Sequence, residues 1–269
     1  MELLKAIILG VIQGATEFLP VSSSGHLVLG SHLLDFRAQG IVFDVMLHIG
    51  TLLSVLVVFR KELIEMARAP VRWLGGWSSE SQRMYLLWDV YVVVATIPAV
   101  IVGLFFKDNI ELLFTSEFLV CLMLIVTGLM MIASRHLNDR GNRINGARSF
   151  LIGCGQALAI VPGISRSGTT IFVGMLLGVN RETVAKFSFI MSIPAILGAA
   201  VLNLGDVVRN PPSPDETAVL ISGTLASALT GYLAIKLLLD IIRRNRLQWF
   251  GYYCLAVAAA GLIYFASAL

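Results

Sequence analysis

Charge is what this sequence has least of. Only 14% of its 269 residues are Asp, Glu, Lys or Arg, and 57% are hydrophobic. A soluble chain carries about 25% charged and roughly 45–50% apolar residues. This chain lacks that polar surface and reads as an integral membrane protein, which excludes most soluble enzyme classes. A formal net charge of +3 gives nucleic acid no footing, and no nucleic-acid partner is expected. Cysteine is scarce as well. Cys121, Cys154 and Cys254 lie far apart in apolar segments, without metal or disulfide spacing, and read as buried filler. The opening Met-Glu-Leu-Leu-Lys has one lysine and no small-residue cleavage site, so it reads as mature sequence rather than a signal peptide.

What is abundant is long apolar runs. Crossing a bilayer takes about 20 such residues. Five runs meet this without a formal charge: 90–106, 118–134, 187–205, 217–235 and 249–269. A sixth, 41–59, carries Asp44 near one end and His48 inside it. Two further stretches, 6–34 and 149–177, are interrupted by proline and a Ser/Gly cluster. Non-helical backbone at membrane depth is tolerated only where protein or a wet cavity surrounds it. Both stretches are therefore predicted to be re-entrant helix hairpins.

The two broken stretches resemble each other. A shift of 143 aligns Gly10 with Gly153, Gln13 with Gln156, Ser22 with Ser165, Ser24 with Ser167 and Gly25 with Gly168. Loop charge sets the orientation. Loops 60–86, 135–148 and 240–247 hold five, four and three Lys/Arg, whereas loops 107–116 and 205–217 hold one each. The rich loops are assigned to the cytoplasm, which leaves both termini outside. The first hairpin then enters from outside and the second from the cytoplasm. The expected fold is all-α and polytopic: six transmembrane helices plus two re-entrant hairpins in an inverted-topology repeat. Its halves are 1–134 and 147–269. Such a plan also suits a transporter or flippase of a lipid-linked or small anion, which stands as the alternative function.

Ionisable groups at membrane depth cost about 2.5–3.5 kcal/mol each on insertion scales and mark function by default. At the two breaks stand three: Glu17, His26 and Arg166. Gln13 and Glu17 are i,i+4 and share a helix face. Ser22, Ser23 and Ser24 can cap the helix that follows, placing Gly25 and His26 in its first turn. Ser165 and Ser167 bracket Arg166 before a second helix start. Two helix N-termini, small residues and an arginine fork together make a phosphate site. The plainer readings are a snorkelling Arg166, an interfacial Glu17 and a capping His26; Ser22, Ser24 and Ser167 read first as caps. His32, His48 and His136 are set aside as bystanders, and 211–214 as a stiff proline loop.

Residues 13–26, Gln-Gly-Ala-Thr-Glu-Phe-Leu-Pro-Val-Ser-Ser-Ser-Gly-His, and 162–170, Pro-Gly-Ile-Ser-Arg-Ser-Gly-Thr-Thr, resemble the two signatures of the undecaprenyl-pyrophosphate phosphatases, the bacitracin-resistance family. The resemblance implies a bacterial inner-membrane enzyme that removes the terminal phosphate of a polyprenyl pyrophosphate lipid, recycling the carrier for cell-wall synthesis. It implies a homodimer and a divalent cation, Mg²⁺ or Ca²⁺. Carried over by position, Glu17, Ser23, His26 and Arg166 are the catalytic candidates, and Glu17 with a supporting Gln13 binds the metal. Ser22, Ser24, Gly25, Gly163, Ser165, Ser167, Gly168 and Thr170 bind phosphate. Gln13 departs from a two-carboxylate site, because an amide brings no charge to a metal. Ser23 or an activated water attacks phosphorus, and His26, three residues beyond Ser23, handles the proton.

Overall fold

A computed structural model describes residues 1–36, 40–76, 79–209 and 212–267. Pro211 and the last two residues of the 249–269 run lie outside them. The described chain is helical between its turns. In order it forms α1 (Glu2–Phe18), α2 (Ser23–Leu33), α3 (Gly40–Val58), α4 (Arg60–Leu74), α5 (Glu80–Phe105), α6 (Lys107–Leu113), α7 (Glu117–Ala133), α8 (Gly146–Leu158), α9 (Arg166–Leu176), α10 (Arg181–Arg209), α11 (Pro214–Arg243) and α12 (Gln248–Ser267). Helices α5, α7, α10, α11 and α12 are long and apolar enough to cross a membrane. A sixth candidate is α3 taken together with α4, bent by 80°.

Both interrupted stretches break where the sequence predicts. Pro20 disfavours helical backbone at the residue before it, and Leu19 ends α1 in an extended conformation (φ −66°, ψ 141°). Ser22 then caps α2, its side chain accepting from the Gly25 amide at 3.3 Å. Ser165 caps α9 in the same way, accepting from Gly168 at 3.1 Å. Even the hydroxyl pairs recur: Ser22 to Ser24 and Ser165 to Ser167 are each 3.2 Å apart. The first helix of each broken stretch packs on a long helix of the opposite half, α1 on α11 and α8 on α5. Gly10 and Gly153 make this possible. A Cβ on Gly10 would sit 2.3 Å from the Gly223 carbonyl oxygen, and one on Gly153 would sit 2.2 Å from that of Ala95.

Three expected loops are shorter or more ordered than the charge pattern suggests. Loop 60–86 is mostly helix, α4 followed by the start of α5; loop 107–116 contains α6; and α11 runs through the first half of 240–247. The reason is packing. Met66 and Ala69 of α4 are buried, so a segment that looks too polar to span a bilayer still has one face to bury. The central core joins Phe18, Ile152, Ile171, Phe187, Phe189 and Met191 from α1, α8, α9 and α10, with Phe18 edge-on to Phe189 at 5.5 Å.

The ends of the helices are tied into two polar faces. On one, Asn180 donates to Asp139 at 2.8 Å, Arg243 pairs with Glu182 at 3.4 Å, and Arg181 bonds Asn245. The other holds the start of α1, the end of α2 and the start of α7: Lys5 donates to the Asp35 carbonyl and His32 pairs with Glu117 at 3.2 Å. The Arg-rich segments 135–148 and 240–247 belong to the first face, and the cation-poor segment before α7 to the second.

Candidate active site

The two helix breaks meet. Ser167 in the second reaches the Leu19 carbonyl of the first at 3.2 Å. Thr127 of α7 clamps the second break, donating to the Gly163 carbonyl at 2.9 Å and accepting from the Ser165 amide at 3.0 Å. Gly163 is in the left-handed region at φ 93°, and a Cβ there would lie 2.4 Å from the Val120 carbonyl oxygen. Only glycine satisfies both demands. This geometry puts the starts of α2 and α9 side by side, each leaving its first N–H groups without intrahelical carbonyl partners.

Glu17 stands at the junction. Glu17 is 5% exposed, and its carboxylate meets donors on both oxygens. Oε1 accepts from the Arg166 guanidinium across the two hairpins. Oε2 accepts from Gln13 Nε2 at 2.9 Å and from the Ser23 hydroxyl at 2.5 Å. His48 Nε2 lies 3.6 Å from the same oxygen, and its Nδ1–H donates to the Asp44 carbonyl at 2.7 Å. A buried carboxylate is tolerated only when paired and hydrogen-bonded in this manner.

A cavity of about 970 Å³ opens from this cluster. Glu17, Ser23, Ser24, Ser165, Arg166 and His48 form its polar end, and Leu27, Val28, Phe43, Phe114, Ile164 and Ile196 are among its apolar walls. Ser31, His32, Asp44 and Glu117 line it further out, on the cation-poor face. A deep polar end with apolar walls suits an amphiphile carrying an anionic head.

Not every candidate reaches the cavity. Ser22, Gly25 and Gly168 serve the helix caps, and Ser167 ties the two breaks together. Thr170 is turned away: its hydroxyl bonds the Arg166 carbonyl at 2.8 Å and Ser188 at 2.5 Å. His26 does not approach Ser23. Its Nδ1–H donates to the Ser22 carbonyl at 2.8 Å, and Nε2 accepts from the Tyr253 hydroxyl at 2.9 Å with the rings stacked. Residues 23 and 26 sit side by side at the start of α2, but Ser23 faces α1 while His26 faces α12. In the other direction, His32 and His48, which the sequence sets aside, both line the cavity, and His48 stands beside Glu17. The available signal was an ionisable residue inside an apolar run, one turn from Asp44.

Among the described residues no group of three or more His, Cys, Asp and Glu side chains is arranged to hold a metal ion. The donors at hand are the Glu17 carboxylate and Gln13 Oε1, which is buried without a hydrogen-bond partner.

Comparison with known proteins places the chain. The sequence profile described as Bacitracin resistance protein BacA matches residues 6–260. The undecaprenyl-diphosphatase of Rubrobacter xylanophilus is 42% identical over 267 residues, covering 96% of this chain and 97% of that protein. The undecaprenyl-diphosphatase of Methanobrevibacter smithii is 42% identical over 279 residues, covering 98% and 97%. Undecaprenyl-diphosphatase 4 of Bacillus thuringiensis subsp. konkukian is 41% identical over 256 residues, covering 94% and 93%.

Proposed function

The chain belongs to the bacitracin resistance protein BacA family, and on that premise we propose how its site does the family's work. It is a membrane phosphatase that hydrolyses undecaprenyl pyrophosphate to undecaprenyl phosphate and inorganic phosphate, recycling the cell-wall lipid carrier and conferring bacitracin resistance. The observation that carries the mechanism is the contact between Ser23 and Glu17 within a cluster that also holds Arg166.

The pyrophosphate lies at the polar end of the cavity, and its polyprenyl tail leaves along the apolar walls into lipid. Arg166 turns from Glu17 to the phosphate oxygens, where its planar fork binds two at once. Glu17, released from that pairing, takes the Ser23 proton as general base. Ser23 attacks the terminal phosphorus, undecaprenyl phosphate leaves, and water then frees phosphate from the serine. His26 keeps the Ser22–Ser24 turn in place through its bonds to Ser22 and Tyr253. In this reading Glu17 takes over the proton-handling role that the sequence assigns to His26. A divalent cation, Mg²⁺ or Ca²⁺, would be held by Glu17, with Gln13 supporting once its amide turns Oε1, rather than the Nε2 that now bonds Glu17, toward the ion. When bound it neutralises charge on the pyrophosphate.

The orientation belongs to the same proposal. The protein is multi-pass in the bacterial inner membrane, with both termini outside, the two broken stretches re-entrant and the halves inverted. Support comes from the cation-poor face onto which the cavity opens, because the positive-inside rule assigns that face to the periplasm. The recurring caps and the exchanged packing of α1 on α11 and α8 on α5 support the repeat. A homodimer is part of this reading and is tested by the mass of the solubilised particle.

The test is phosphate release by purified protein in detergent, where no gradient can drive transport. Wild type should turn over lipid pyrophosphate and, on acid quench, retain labelled phosphate on protein. Ser23→Ala should fall to background with nothing trapped. A variant that keeps a tenth of the rate would reduce Ser23 to a hydrogen-bond donor worth about 1.4 kcal/mol and hand attack to water.

A further inference from the structure

Helix α4 has no part in the reaction described above, yet it has a distinctive surface. It turns 80° away from α3, so if α3 crosses the bilayer, α4 lies along its plane. Three stripes run down it. Met66 and Ala69 are buried against the protein, facing α5, with which α4 packs. Ile64, Ala67, Val71 and Leu74 recur at i, i+3, i+7 and i+10 and are all exposed, Val71 at 70% and Leu74 at 79%. Beside that apolar stripe Lys61, Arg68 and Arg72 recur at i, i+7 and i+11.

An exposed apolar stripe flanked by a cationic one is the surface of a helix lying in a membrane interface, its apolar side sunk about 5–10 Å below the headgroups. The charges do not cancel. Glu65 pairs with Arg68 and Arg72 at 3.4 and 3.1 Å, and Glu62 lies 3.8 Å from Lys186 of α10. Four basic residues of α4 still stand against two acidic ones.

We propose that α4 is a binding site for anionic phospholipid, seating Ile64, Val71 and Leu74 among acyl chains and Lys61, Arg68 and Arg72 on lipid phosphates. Charge complementarity selects this occupant: a zwitterionic surface offers the arginines no net attraction, whereas an anionic one gives each basic residue about a fivefold gain in partitioning. That the leaflet is the cytoplasmic one rests on the orientation under Proposed function; the binding itself does not.

The test compares wild type with the Lys61→Gln, Arg68→Gln, Arg72→Gln triple variant. Both are purified in detergent with equal amounts of phosphatidylglycerol and phosphatidylcholine, and retained lipid is counted by native mass spectrometry. Wild type should retain phosphatidylglycerol preferentially, and the preference should fall about fivefold per charge removed. The three residues line no part of the cavity, so turnover in detergent should stay at the wild-type level and report an intact fold. A second measurement places a polarity-sensitive fluorophore on Val71→Cys, with Cys154, the native cysteine that is not fully buried, changed to serine. In phosphatidylcholine vesicles containing phosphatidylglycerol its emission should shift to the blue and be quenched by lipid-borne spin label. Equal lipid retention by both proteins would overturn the proposal. So would quenching only by aqueous iodide. Cysteine labelling that put α4 outside would overturn the orientation and leave the lipid site standing.

Discussion

Glutamine at position 17 keeps the shape of the glutamate and deletes its charge, so it separates what that charge does for the fold from what it does for the reaction. In the wild type the carboxylate holds Arg166, Ser23 and Gln13. Without it the guanidinium, 20% exposed along its side chain, loses its counter-charge. Removing one partner of a buried pair costs about 3–5 kcal/mol, and the partial exposure of Arg166 puts the figure near the lower end. Loss of a general base costs a further 10²- to 10⁴-fold in rate, by the usual order of such effects. Two readouts on one preparation suffice: phosphate release from lipid pyrophosphate in detergent, and the denaturation midpoint. Glu17→Gln should lose at least about a hundredfold in turnover and be markedly less stable. Adding Arg166→Gln removes the uncompensated cation. The double variant should therefore regain stability over the Glu17→Gln single while remaining inactive. Turnover by Glu17→Gln within about tenfold of wild type would return the role of base to His26. A double variant no more stable than the single would mean that the charge pair does not join the hairpins.

Arg166→Lys should leave the protein folded and cost about 2.7–4 kcal/mol of transition-state stabilisation, because lysine keeps the charge but not the fork; near-normal turnover would make Arg166 a point charge only. Gly153→Ala should destabilise by about 1–3 kcal/mol or more, since the added methyl meets the Ala95 carbonyl oxygen in a packed helix pair. Gly146→Ala, where a Cβ meets nothing within 4 Å, is the control, and equal midpoints for the two would refute the close approach of α8 to α5. Single cysteines at Arg68 and Arg143 should react with impermeant reagent only from the cytoplasm, and one at Ser213 only from outside. Labelling of the Arg143 and Ser213 positions from the same face would break the inverted repeat.

Some of this was legible in the residues themselves. A chain with so few charges has to be in a membrane. Proline with a serine cluster has to break a helix and cap the next, which is why Ser22 and Ser165 stand where the sequence puts them. The i,i+4 spacing of Gln13 and Glu17 suffices for their hydrogen bond. These are short-range consequences of backbone sterics and helix geometry, settled within a few residues. The segment now seen as α4 escaped that reading because its apolar positions are too few to span and its burial depends on α5. The chemistry escaped it for a related reason. Whether Ser23 turns to Glu17 or to His26 depends on which neighbour each meets. Tyr253, which holds His26, is 227 residues away in sequence, and Arg166, which meets Glu17, is 149 away. His48 reaches Glu17 because α3 packs against α1, and Thr170 misses the cavity because Ser188 of α10 takes its hydroxyl. Local spacing determined which side chains would stand at the helix starts; the packing of one half of the chain on the other decided which of them touch.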